Sequence, residues 1–167
     1  MAGAKEKLPW SYERKVRDFL RPGVRLLDMS AGAGAFLLGL GNPPALTAAL
    51  VQDEAEFLLC QKRLGSLGAE VCWRREGPLP FGDGSFDLLL NDQAPLDPAE
   101  AARVLGPGGF LVAQQTGGQE APWLGEDYNL ENVAPRLEAA GFRLNYAHQF
   151  YGEEPPCHRF MLVGKRR

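Results

Sequence analysis

Apolar runs of strand length alternate with amphipathic stretches of helix length, and the first run ends in a glycine turn that opens a helix. Together these features predict an α/β fold: a doubly wound, mostly parallel sheet with helices on both faces. Two late strands with no helix signal between them predict a closing hairpin, which makes the last of seven strands antiparallel. Each element has a local reason. Ser11 caps a short helix whose Tyr12, Val16, Phe19 and Leu20 share a face, and Arg21-Pro22-Gly23 stops it. Val24 to Met29 is the first strand, Ser30-Ala31-Gly32-Ala33-Gly34 the turn, and Phe36-Leu37-Leu38 opens the next helix. Ala45 to Val51 is the second strand. Asp53 and Glu56 then stand at N-cap and N3 spacing ahead of Phe57, Cys60 and Leu64.

Ala69 to Trp73 is the third strand and Phe86 to Asn91 the fourth, separated by the loop Gly77-Pro78-Leu79-Pro80-Phe81-Gly82-Asp83-Gly84. Asp97-Pro98 with Glu100 marks a helix start, since proline suits the first helical position and acids suit the positive helix end. Gly106-Pro107-Gly108-Gly109 is expected to end that helix. Phe110 to Gln114 is the fifth strand, and a helix over Val133 to Ala140 is expected with Pro135 in its first turn. Phe142 to Phe150 and His158 to Gly164 are the hairpin strands.

At 167 residues the chain has room for one domain, expected over residues 11–167 behind a flexible N-terminus of residues 1–10. Lys+Arg 18 against Asp+Glu 21 leaves a formal charge of -3, which argues against broad phosphate-backbone binding, so nucleic acid is not a favoured partner. Gly 20 and Pro 13 amount to about a fifth of the residues, a density that calls for many tight turns but falls short of low complexity. Three cysteines make no disulfide framework, and no stretch has the length of a membrane span or a signal-peptide core. A cytoplasmic location is expected. No metal-ligand spacing occurs, and His148 and His158, far apart and without neighbouring acids, read as structural.

In a sheet of this kind, ligands bind beyond the carboxyl ends of the strands, where the first glycine turn meets a helix. A dinucleotide fingerprint requires a third glycine where Leu37 stands, so a nicotinamide cofactor is disfavoured. The segments Leu26-Leu27-Asp28-Met29-Ser30-Ala31-Gly32-Ala33-Gly34, Leu79-Pro80-Phe81-Gly82-Asp83-Gly84-Ser85-Phe86-Asp87 and Arg103-Val104-Leu105-Gly106-Pro107-Gly108-Gly109 come in an order and at spacings that resemble the class I S-adenosylmethionine-dependent methyltransferases. His158 to Val163 looks like that family's last strand. The resemblance covers nearly everything from Arg25 to Lys165 and implies the family's Rossmann-like fold, with S-adenosyl-L-methionine as cofactor.

The resemblance further implies that Asp28, Ser30, Ala31, Gly32 and Gly34 surround the methionine part of the cofactor. Ser30 stands where the family usually has its first glycine. Two departures follow. The family's ribose-binding acid at the end of the second strand aligns with Val51, leaving Gln52 or Asp53 as substitutes, although Asp53 also reads as a plain N-cap. The family's adenine-side acid aligns with Arg75, leaving neighbouring Glu76, beside Gly77, as the candidate. After the fourth strand, Asn91, Asp92 and Gln93 stand where the methyl acceptor is expected, with Asp92 able to take its proton and Asn91 also within reach of the cofactor. Gln114, Gln115 and Thr116 are second-tier candidates on the same rim. The expected activity is methyl transfer to a small or medium acceptor by in-line displacement. The alternative is an inactive methyltransferase-like module that binds or regulates a protein partner, for which Val51 and Arg75 speak.

Overall fold

A computed structural model of the chain describes residues 7–118, 127–154 and 156–167. The strands are β1 (Leu26–Asp28), β2 (Thr47–Val51), β3 (Glu70–Trp73), β4 (Phe86–Asp92), β5 (Leu105–Thr116), β6 (Phe142–Glu153) and β7 (Pro156–Arg166). They form one sheet in the order β3-β2-β1-β4-β5-β7-β6. β1 to β5 run parallel, and β7 runs antiparallel to both β5 and β6. The helices are α1 (Tyr12–Arg17), α2 (Ala35–Leu40), α3 (Glu54–Arg63), α4 (Pro98–Val104) and α5 (Leu130–Ala139). Because a strand carries alternate side chains to opposite faces, the sheet feeds two cores. One joins Leu26, Ala49, Val51, Leu88 and Leu90 to Val16 of α1, Leu37 of α2 and Cys60 of α3. The other joins Leu27, Leu50, Leu89 and Leu111 to Ala101 of α4 and Val133 and Leu137 of α5.

The caps fall where side-chain chemistry places them. Ser11 accepts from the Arg14 N–H, Asp53 from the Glu56 N–H, and Asp97 from those of Ala99 and Glu100. The loop before β4 is held from α4. The guanidinium of Arg103 donates to the Phe81 carbonyl at 2.7 Å and the Leu79 carbonyl at 3.0 Å, and pairs with Asp83 and Glu100. Leu79 and Phe81 are thereby drawn into the core.

Several expectations need correction. α4 ends at Val104, and Gly106-Pro107-Gly108-Gly109 lies inside β5 rather than between a helix and a strand. Phe86 pairs with Leu105 and Leu88 with Phe110, so the glycines absorb extra residues as a bulge. Gly108 takes φ +80 there, and a Cβ on Gly109 would lie 3.0 Å from the Asp87 carbonyl oxygen. α5 begins at Leu130, because the Asn129 side chain accepts from the Asn132 N–H at 2.9 Å. Pro135 therefore sits inside the helix and deletes one of its hydrogen bonds. β2 starts at Thr47 because Pro44–Leu46 forms a short 3-10 turn. β6 and β7 outrun their expected ends because they pair with each other from Phe142 opposite Arg166 to Glu153 opposite Pro156. Of the N-terminus expected to be flexible, residues 1–6 lie outside the described residues, while Trp10 packs on the β5 and β6 side.

Candidate functional site

The chain runs outward from β1 through β2 to β3, then returns to lay β4 on the other side of β1. The crevice between the carboxyl ends of β1 and β4 is therefore the topological switch point, where open α/β sheets bind ligands.

Asp28, the last residue of β1, is 1% exposed. Its Oδ1 accepts from the Ser30 N–H at 2.8 Å and from the Ser30 hydroxyl at 2.7 Å. Burial pushes its carboxyl up to about 6, with the Ser30 bonds opposing the rise and nearby Asp92 adding to it. A buried carboxylate at the switch point, with no cation paired to it among the described residues, is a partner for a cationic group. The Ser30 hydroxyl also accepts from the Asp92 N–H at 2.8 Å, so one oxygen ties the end of β1 to the end of β4. A glycine at position 30 has no atom for this. Gly32 and Gly34 take φ +53 and +89, the left-handed region that glycine enters without strain. Gly34 also packs tightly, since a Cβ there would meet Leu64 and Cys60 at 3.0 and 3.1 Å. Ala31 is pinned by its N–H to the Leu50 carbonyl at 3.3 Å.

Over this turn lies Tyr12, whose ring stacks on Phe36 with centroids 5.6 Å apart. Its hydroxyl is buried near Asp28, Ser30 and Asp92 without a well-formed hydrogen bond among the described residues. Burial, then the Asp28 and Asp92 charges, push the phenol well above its ordinary range, so it remains a proton donor.

The acceptor rim divides into two layers. Asn91 is fully buried: its Oδ1 accepts from the Ala94 N–H at 3.1 Å and from Gln115, and its Nδ2 donates to the Pro95 carbonyl at 3.3 Å. It shapes the turn from beneath and presents nothing to the mouth. Asp92 and Gln93 are on the rim. Asp92 Oδ1 accepts from Gln114 Nε2 at 3.1 Å, and burial raises its carboxyl against opposing bonds from Gln114 and Gln93. Gln93 adopts φ 67, the one positive φ outside glycine among the described residues, and its side chain accepts from the Thr116 hydroxyl. Gln114 in turn accepts from the Trp10 indole N–H at 2.7 Å. Trp10 and Tyr12 thus both close on the site, and sequence reasoning missed them. Their only signal was an aromatic pair around the Ser11 cap, which reads as ordinary core.

The ribose candidates border the turn after β1, and the adenine candidates lie in the loop after β3. Val51 is the last residue of β2 and wholly buried. Gln52 donates from its amide to the Met29 carbonyl at 3.3 Å, and the Asp53 carboxylate is occupied as the α3 cap at 3.0 Å from the Glu56 N–H. Glu76 and Gly77 are exposed in the loop after β3, where the Gly77 carbonyl accepts from Arg74 at 3.1 Å. His158 stacks on Tyr151 with centroids 4.3 Å apart and presses on Gly117, and no group of three metal-ligating side chains occurs among the described residues.

This architecture is found in known proteins. The chain is 36% identical over 110 residues to a phthiotriol/phenolphthiotriol dimycocerosates methyltransferase of Mycobacterium leprae, a match covering 60% of this chain and 41% of that protein. The chain thus spans about two fifths of the length of that relative. No protein-family profile matches the chain. Among solved structures, a SAM-dependent methyltransferase from Methanosarcina mazei superposes with a TM-score of 0.69 at 18% identity, covering 91% of this chain and 96% of that one. The cyclase SpnF superposes with a TM-score of 0.71 at 19% identity, covering 92% of this chain and 79% of that one. The fold is that of the class I S-adenosylmethionine-dependent methyltransferases, and the sequence match is to a protein named as a methyltransferase.

On the methionine side the residues present fit S-adenosylmethionine. Among the described residues the buried Asp28 carboxylate has no paired cation and the buried Tyr12 phenol no acceptor, and the left-handed glycine turn leaves backbone open to approach. On the ribose side, β2 offers no carboxylate at its end.

Proposed function

We propose that this chain transfers a methyl group from S-adenosylmethionine to a small or medium acceptor held against Asp92 and Gln93. The observation that carries the proposal is the Ser30 hydroxyl, which joins the buried Asp28 carboxylate to the Asp92 backbone at the switch point. Asp28 takes the positive amino group of the methionine part, Tyr12 donates to its carboxylate, and the Ala31 to Gly34 backbone lies along it. When bound, the cofactor supplies a methyl group on a sulfonium, open to in-line displacement. Everything else falls to the chain. Gln114 and Gln93 orient the Asp92 carboxylate, Asp92 accepts the proton of an oxygen or nitrogen acceptor, and Trp10 and Tyr12 keep water from the crevice. Alignment of the two reactants supplies most of the acceleration in such a displacement.

The acceptor of the mycobacterial relative stays with that relative, because the match covers only 41% of it. A small-molecule acceptor suits the mouth at Asp92, and a cytoplasmic location suits the three unpaired cysteines. The competing reading, an inactive module that serves a protein partner, draws on Val51 at the end of β2 and on the breadth of chemistry this fold supports, SpnF being a cyclase. Heat denaturation with and without S-adenosylhomocysteine, followed by label transfer from methyl-labelled cofactor into metabolite extracts, separates them. Stabilisation with transfer supports the enzyme, and stabilisation with persistent absence of transfer favours the binding module.

A further inference from the structure

The departure at Val51 leaves open what this chain offers to ribose hydroxyls. Doubly wound folds that bind adenosine place an acid about 20 residues beyond the glycine turn, where it accepts from the ribose hydroxyls. Of the polar side chains that follow β2, Asp53 caps α3 through Oδ2, and Gln52 carries no charge and spends its amide N–H on the Met29 carbonyl. Glu56 differs. Its spacing from Asp53 suggests a reciprocal capping box, yet only the Glu56 backbone takes part, donating to Asp53 at 3.0 Å. Its carboxylate instead lies toward Gly32, in the turn that follows β1. A Cβ on Gly32 would lie 3.6 Å from its Oε2 and 4.0 Å from its Oε1. No hydrogen bond or ion pair among the described residues engages that carboxylate, and the residue is exposed, so both oxygens are open to a partner. Gly32, with φ +53 and no Cβ, leaves the space in front of the carboxylate clear.

We infer that Glu56, from the first turn of α3, is the carboxylate that accepts from the vicinal ribose hydroxyls of the adenosyl ligand, replacing the acid that β2 lacks. Two acceptor oxygens on one flat group match two neighbouring hydroxyl donors. Reaching the site from a helix rather than a strand end frees position 51 for valine, which is buried among the α2 and α3 contacts. The inference rests on the cofactor assignment made above and names the ribose-binding residue of that same site.

The test is calorimetric titration of wild type and Glu56→Gln with S-adenosylhomocysteine and with its 2′,3′-dideoxy analogue. Glutamine keeps the side-chain length and is equally acceptable at this helix position, so the ligand-free melting curve is expected to be unchanged. Loss of hydrogen bonds to a charged group predicts roughly ten- to a hundred-fold weaker binding of S-adenosylhomocysteine by Glu56→Gln. The dideoxy analogue is expected to bind both proteins equally, because it has nothing to offer the carboxylate. Equal loss of affinity for both ligands would show that Glu56 does not act through the ribose and would overturn the inference. So would binding of S-adenosylhomocysteine that is the same in both proteins, which leaves the cofactor assignment standing. No binding by wild type up to millimolar ligand would overturn the cofactor assignment, and the role of Glu56 with it.

Discussion

Replacing Asp28 with asparagine is expected to stabilise the ligand-free protein near neutral pH while abolishing cofactor binding. Burial raises this carboxyl from its ordinary 3.8 to about 6. The folded state therefore holds the proton more tightly than the unfolded chain does, so stability that is full below pH 3.8 is lost as pH rises through about 6. A little over two decades of proton affinity, at about 1.4 kcal/mol per decade, makes the cost about 3 kcal/mol above that range. Asparagine carries no charge, and its oxygen still accepts from the Ser30 amide and hydroxyl that now bond Asp28 Oδ1 at 2.8 and 2.7 Å. Its amino group needs a new partner in the same buried place, so about 3 kcal/mol is a ceiling, or about 2–4 °C of melting temperature per kcal/mol for a chain of this size. The assay is urea denaturation of both proteins at intervals from about pH 4 to 8. Wild type should lose stability through about pH 6 relative to Asp28→Asn, the two converging in acid. Parallel profiles would refute the reasoning, showing that Asp28 ionises in the folded chain as freely as in the unfolded one.

In the proposed function the same carboxyl governs binding. If the ligand's cation requires ionised Asp28, affinity for S-adenosylhomocysteine should fall about tenfold per pH unit below about 6 and level off above it, as calorimetry across that range would show. Asp92→Asn should lower turnover by roughly 10²–10⁴-fold with cofactor affinity nearly unchanged, measured as initial rates beside a binding titration. Ser30→Ala should move the Asp28 carboxyl resonance to a higher midpoint in a carbon NMR titration, because it removes one donor from that oxygen, and Ser30→Thr should restore it. Gly34→Ala should cost about 1–3 kcal/mol in denaturant midpoints, since it puts a side chain at φ +89 and against Leu64 and Cys60.

Local signals with a single physical cause were legible in the chain. The run Leu26–Asp28 followed by glycines can only be a buried strand entering a turn, and Asp53 and Asp97 cap the helices their spacing announces. Signals with two outcomes were not. Gly106 to Gly109 breaks a helix and equally permits a bulge, and only pairing with β4 decides between them. Pro135 reads as a first-turn residue because its tolerance inside α5 depends on tertiary packing, and the observed start at Leu130, behind the Asn129 cap, closely follows residues 119–126, which lie outside those described. Asn91 and Asp92 are adjacent in a strand, so one is turned inward and the other toward the rim, and residue type alone does not say which. Trp10 and Tyr12 were missed for a shared reason: each reaches the crevice from α1 or its flank across a long stretch of chain, and no short motif encodes that approach.

The contact of Trp10 with Gln114 has an optical consequence. Its indole N–H bonds to the same side chain that bonds the Asp92 carboxylate, and its ring lies 5.1 Å from that of His148. An indole's emission responds to the loss of a hydrogen bond, so this fluorophore is wired to the rim by one intervening amide. The chain has three tryptophans, the others being Trp73 and Trp123. With those two replaced by phenylalanine, the remaining emission becomes a native reporter of events at the mouth, readable in real time and without a known acceptor, and so a means of finding one.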